Sequence, residues 1–132
     1  MRAPDRLHGF RFVASPAVLD EFRLPDVGAV PGGYQELRFA PDDLFVVGPG
    51  TFAWAGEPAI VERETGFVGW WLTLEELHDH VVEHIDWPLP AERPALAQGL
   101  IAGVPAKLWL THDRVLLLTN AAYAHELTER LP

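Results

Sequence analysis

The chain contains no cysteine. Disulfides, thiolate catalysis, zinc ribbons and iron–sulfur ligation by cysteine are thereby excluded. Cationic residues are scarce as well: ten Lys and Arg face nineteen Asp and Glu, for a formal net charge of −9. A chain this acidic lacks the basic footprint that neutralises phosphates, so no nucleic-acid partner is expected, nor any attraction to an anionic membrane surface. No apolar run approaches the ~20 residues of a membrane-spanning helix, and the opening Met1 to His8 has no secretory apolar core. The expected address is cytoplasmic, without direct membrane insertion. One Ser, one Asn, two Gln and one Met are further scarcities. Together with twelve prolines they fit a thermophile. A GC-rich genome accounts at least as well for a single Lys against nine Arg.

Apolar residues, by contrast, are plentiful. They make up 48% of 132 residues, enough to offset the entropy of ordering one packed core. A single domain over residues 1–132 is expected. Glycine and proline divide the chain into short elements, which favours strands over helices. Gly9 to Ala14 reads as a strand with Phe10 and Phe12 on one face. Ser15-Pro16 caps a short helix carrying Val18, Leu19 and Phe22. Pro31-Gly32-Gly33 is a turn. Strands follow at Tyr34 to Ala40, with Leu37 and Phe39 inward, at Leu44 to Val47, and at Phe52 to Ala55. Ala59 to Glu64 and Phe67 to Leu72 read as a hairpin around Thr65-Gly66.

The next helix carries the clearest signals. Thr73 and Glu76 form a capping box, and Leu72 and Leu77 a hydrophobic staple. Leu74, Leu77, Val81 and Ile85 share one face, and Trp87-Pro88 ends the helix. Residues 88–99 form a proline-rich connection. Ala106 to Thr111 and Arg114 to Leu118 make a hairpin turning at His112-Asp113. Asn120 caps a final helix with Tyr123, Ala124, Leu127 and Leu131 inward and a Glu126–Arg130 pair outside. The predicted class is α+β, mainly antiparallel sheet with about three helices.

Residues able to carry chemistry are few. His80 and His84 stand four apart on the central helix with Glu76 and Glu83 nearby, a zinc-like donor set for a metal-dependent hydrolase. His78 points about 160° from His80, toward the apolar stripe, half-buried. The metalloprotease His-Glu-x-x-His pattern is not met, because Asp79 follows His78. The bland reading is a solvated polar face with no metal. Ser15, the sole serine, sits in a cap rather than a nucleophile elbow. Lys107, the sole lysine, alternates with Ala106 and Leu108 and points to solvent. Gly48-Pro49-Gly50-Thr51 is a turn, lacking the lysine of a phosphate loop. The acidic pairs Asp42-Asp43 and Glu62/Glu64 read as solvated. No catalytic residue and no cofactor are predicted.

Five tryptophans are more informative. Trp70 and Trp71 are strand neighbours and point to opposite faces. Either both faces are buried, or one ring is left for a partner. Trp70, Trp71 and Trp54 are therefore the interaction candidates.

Three stretches resemble the T-protein superfamily of folate-binding, aminomethyltransferase-like domains, above all the small gamma subunits of heterotetrameric sarcosine oxidases. Leu37 to Gly48 resembles that family's "LRLGPDEWLLVG" segment. Ala59 to Glu62, with Val68 to Leu72 and the helix beyond, resembles its strand-and-helix unit. Ile85 to Leu89, Leu100 to Leu110 and Leu117 to Leu131 resemble its closing pattern. The resemblance spans about four fifths of the chain in matching order. Its Ser-Gly-Pro before the central helix is here Leu72-Thr73-Leu74, and the Lys-Gly-Cys motif of the folate-dependent iron–sulfur assembly relatives is absent. No folate-binding residue carries over. The resemblance implies a non-catalytic accessory subunit docked on larger protein subunits of an oxidoreductase complex, flavoprotein or respiratory. A small-molecule, folate-like binding protein or enzyme is the alternative, beside the hydrolase.

Overall fold

The computed structural model describes residues 1–21, 34–48 and 60–132. The order is β1 (Asp5–Arg6), β2 (Gly9–Val13), α1 (Pro16–Asp20), β3 (Gln35–Ala40), β4 (Asp43–Val47), β5 (Ile60–Glu64) and β6 (Phe67–Thr73). Then come α2 (Leu74–Glu76), β7 (Ala95–Ile101), β8 (Val104–Leu110), β9 (Arg114–Asn120) and α3 (Ala124–Arg130). The fold is α+β and mainly strand, with two antiparallel sheets and three α-helices among the described residues. It divides into two units: residues 1–6 with 66–132, and residues 7–65. Among the described residues no helix is long and apolar enough to cross a membrane.

The first unit is a five-stranded sheet ordered β1-β6-β9-β8-β7. Its middle strand β9 reads Val115-Leu116-Leu117-Leu118-Thr119, and every one of these residues is buried. Such an unbroken apolar run marks a strand covered on both sides. On one side Val115 and Leu117 pack with Trp70 and Leu72 of β6 and with Leu108 and Leu110 of β8. Leu77, Val81, Leu127 and Leu131 close this core from the helical segments. Truncating a leucine of this kind to alanine costs about 2–5 kcal/mol. On the other side Leu116 lies in register between Trp71 and Trp109.

Residues 1–6 are stitched into the same unit. The Met1 nitrogen donates to the Thr128 and Leu131 carbonyls, and the Trp70 indole donates to the Arg2 carbonyl at 2.7 Å. The burial of Trp70 is thereby matched by a partner for its one polar atom.

Three expectations need correction here. The hairpin around Thr65-Gly66 does not form: β5 pairs with β2, and β6 with β1 and β9. Alternation identifies a strand but not its neighbour, and the chain passes between sheets at this point. The proline-rich connection ends at Pro94, because β7 begins at Ala95 and forms a hairpin with β8. Its turn, Ala102-Gly103, has positive φ at both residues, 51° and 78°. That geometry ordinarily calls for Asn-Gly or Asp-Gly, so the sequence gives a weak hairpin signal. The His84 carbonyl accepting from Ala102 N–H, and Arg130 donating to the Ala102 carbonyl, hold the alanine there. Finally, Leu74 (44% exposed) and Tyr123 (39%) face outward rather than into the core. Both sit in the first turn of their helical segments, where the apolar stripe has not yet reached the sheet.

Among the described residues the second unit is a four-stranded sheet ordered β3-β4-β2-β5. Phe12, Leu44 and Val46 bury one face against Leu19 of α1, with Phe10 packed beside them as the alternation predicts. The Ser15 hydroxyl accepts from Val18 N–H, so the only serine is a helix cap. Gly9 is obligatory, since a Cβ there would lie 2.0 Å from the Val46 carbonyl oxygen.

The other face holds Arg11 on β2. Its guanidinium takes both Asp43 carboxylate oxygens, one at 2.8 Å through Nε and the other through Nη2, and Glu64 at 3.0 Å. It also lies 4.9 Å over the Phe39 ring. A register shift between Arg38 and Ala40 marks a β-bulge at Phe39. Hydrogen bonding to Asp43 raises the Arg11 pKa further, outweighing the opposing effect of burial. One member of each acidic pair is thus not solvated but recruited to a guanidinium. The sequence could not show this, because Asp43 and Glu64 come from strands on opposite sides of β2.

Two stability changes are expected. Arg11→Leu leaves two part-buried carboxylates without their counter-charge and should cost about 2 kcal/mol, less than the full penalty for a completely buried pair. Ala102→Asn places a residue tolerant of positive φ in the turn and should add about 1 kcal/mol. Urea denaturation midpoints of the two variants check both signs.

Candidate functional site

The tryptophan pair divides as strand geometry requires. Trp70 is 1% exposed in the core, and Trp71 is the ring on the opposite face, half-buried. The Arg114 guanidinium lies 3.8 Å from the centre of the Trp71 ring. Arg114 is the first residue of β9 and stands in register with Thr73, two residues beyond Trp71, so the sheet itself sets this stack. Arg114 is exposed and forms no ion pair among the described residues. Trp54 lies outside the described residues.

Close by, Arg2 bridges two elements. Its guanidinium donates to the Trp71 carbonyl at 2.6 Å and to Glu76 Oε2 at 3.1 Å. Glu76 Oε1 accepts from Thr73 N–H, and Thr73 Oγ1 accepts from Glu76 N–H, which completes the capping box read from the sequence. The hydrogen bond from the Thr73 backbone, followed by that from Arg2, holds the Glu76 carboxyl below its ordinary value. Both oxygens of Glu76 are therefore engaged in structure.

Beyond Glu76 the helix widens into a π turn at Leu77–Val81 and tightens into a 3-10 turn at Val82–His84. The wider turn still buries Leu77 and Val81, four residues apart. The bulge it creates carries His78 out, with its side chain 83% exposed and paired with Asp79 at 3.2 Å, instead of half-buried on the stripe. His80 and His84 remain on this segment, and the His84 Nε2 is buried without a hydrogen-bond partner, 3.5 Å from Glu83 Oε1. Among the described residues no three His, Asp or Glu side chains gather as a metal-holding group.

The far end of the same sheet face holds a feature the sequence did not disclose. A cleft of about 490 Å³ opens where Phe67, Leu100, Pro105 and Leu118 meet Gln98, Lys107, Asn120 and Tyr123. Ala106 and Leu108 point to the core, as the alternation of β8 demands, but Lys107 is half-buried in this cleft rather than solvated. Its Nζ donates to Gln98 Oε1 at 2.6 Å, across the β7–β8 ladder. The residues came from four separated stretches, so no local spacing could have grouped them.

Searches against protein-family models, curated proteins and solved structures gave no match.

The capping box predicts a pH dependence. Because the folded-state pKa of Glu76 is lowered, its contribution is complete above the ordinary value of 4.5 and is lost as pH falls through the depressed folded value. The stability difference between the parent chain and Glu76→Gln should therefore shrink between roughly pH 6 and pH 3. Thr73→Ala should cost about 1 kcal/mol at neutral pH. Denaturant titrations across that range measure both.

Proposed function

We propose that this chain is a non-catalytic accessory subunit acting by protein–protein contact, docked on larger subunits of an oxidoreductase complex. The observation that carries the reading is the Trp71–Arg114 stack on the outer side of the five-stranded sheet. Tryptophan and arginine are the side chains on which interface energy concentrates. A guanidinium already held 3.8 Å from the centre of an indole has lost much of its rotamer freedom, so a partner meets an ordered surface at less entropic cost. The half-buried ring still offers area to be covered, and Leu74, next along the chain from Thr73, is 44% exposed.

The identity of the larger partner rests on the T-protein-like segments, above all the one from Leu37 to Gly48. Gamma-like members of that superfamily are small and dock on redox subunits. The geometry agrees with such a role: Ser15, Thr73, Glu76 and Arg2 spend their polar atoms on caps and strand contacts.

Gentle purification of the native protein, followed by gel filtration and mass spectrometry, tests the reading. The parent chain should co-elute in fixed stoichiometry with larger flavin- or quinone-linked subunits. Arg114→Glu, at an exposed position, should release it while leaving its thermal unfolding within a few degrees of the parent. Elution of the parent as a lone chain or a homo-oligomer would remove the proposal.

A further inference from the structure

With nineteen acidic residues against ten Lys and Arg, a cation of this chain has many carboxylates to choose from. Arg2, Arg11, Arg38 and Arg130 each hold one. Arg93 donates instead to the Pro90 and Glu92 carbonyls. Arg114 differs from all of these. Its backbone N–H and carbonyl are bonded to Thr111, but among the described residues its guanidinium meets the Trp71 ring and no acceptor. Acids that neighbour it in sequence or through the capping box are committed elsewhere. Asp113 Oδ1 accepts from the Thr111 hydroxyl at 3.1 Å, and Arg2 and the Thr73 N–H take the two oxygens of Glu76.

The geometry points, on the docking reading above, to a carboxylate as the group that the larger subunit brings to this surface: one of its Asp or Glu side chains closes on the guanidinium of Arg114. An indole 3.8 Å away attracts the cation and holds it without consuming its N–H donors. Those donors form a planar fork that matches the two oxygens of a carboxylate. Trp71 is half-buried and Leu74 is exposed, so an occupant that covers this apolar area also takes the ion pair out of water and salt. A neutral hydroxyl or amide at the same place would leave the positive charge desolvated and uncompensated, and a cation would be repelled. The net charge of −9 opposes an acidic surface as a whole. A single carboxylate on an otherwise neutral or basic patch therefore fits best, and it fixes the register of docking.

Carbodiimide coupling of the assembled complex tests the assignment, because it joins an amine to a carboxylate in direct contact with no spacer. Lys107 is the only lysine of the chain, so Arg114→Lys adds one amine at a known place. Mass spectrometry should find the peptide containing position 114 joined to an Asp or Glu of the larger subunit, a product absent from the parent complex. In a second arm, the larger subunits recovered by native purification are stripped of this chain and titrated with purified parent or Arg114→Gln. The variant should bind at least about tenfold more weakly, the scale of one hydrogen bond to a charged group, and with a flatter dependence on salt. Its thermal unfolding should stay within a few degrees of the parent, since the position is exposed. Coupling of position 114 only to carboxylates of this same chain, or Arg114→Gln binding as tightly as the parent, would each overturn the carboxylate contact while leaving the docking reading in place. A parent chain that co-elutes with no larger subunit removes both.

Discussion

Five consecutive buried side chains, Val115 to Thr119, constrain everything else in the first unit. A strand without a solvent-facing residue must have neighbours on both edges and cover on both sides. β6 and β8 supply the edges. Trp70, Leu72, Leu108 and Leu110 share one side with Val115 and Leu117, and the helical segments close over them. Trp71 and Trp109 flank Leu116 on the other. The one polar member of the run, Thr119, is accommodated because its hydroxyl finds the Pro105 carbonyl.

The same constraint generates the surface features. Period-two alternation on β8 sends Ala106 and Leu108 inward, and so obliges Lys107 to the opposite face. Alternation on β6 does the same to Trp71 once Trp70 is buried. The arginine stack and the lysine cleft are therefore consequences of how the core was filled. Each lies where a strand fully committed on one side carries a long side chain on the other.

Local signals were legible in the sequence; distant ones were not. Ser15, Thr73, Glu76 and Asn120 announce their caps because the partner atoms lie within three residues. The alternation of Phe10 and Phe12, and the apolar run of Leu44 to Val47, likewise needed only near neighbours. Arg11 with Asp43 and Glu64 was invisible because its parts are separated by 32 and 53 residues. The β7–β8 hairpin was hidden for a different reason: Ala102 adopts a backbone conformation that its side chain does not advertise. His78 was misplaced because a π turn breaks the 3.6-residue period on which the helical reading depended.

Strand order also carries a lesson about time. β9 sits between β6 and β8, yet it is synthesised after both. A nascent chain that already contains β1, β6, β7 and β8 has every outer member of the sheet and no centre to join them. Its two partial ribbons, β1 with β6 and β7 with β8, expose the edges that β9 will occupy. At ribosomal speeds of about 5–20 residues per second the interval is brief, but for its duration the unpaired backbone edges of β6 and β8 are open to pairing with other chains. The last strand acts as a keystone, and the growing chain must be sheltered until it is set.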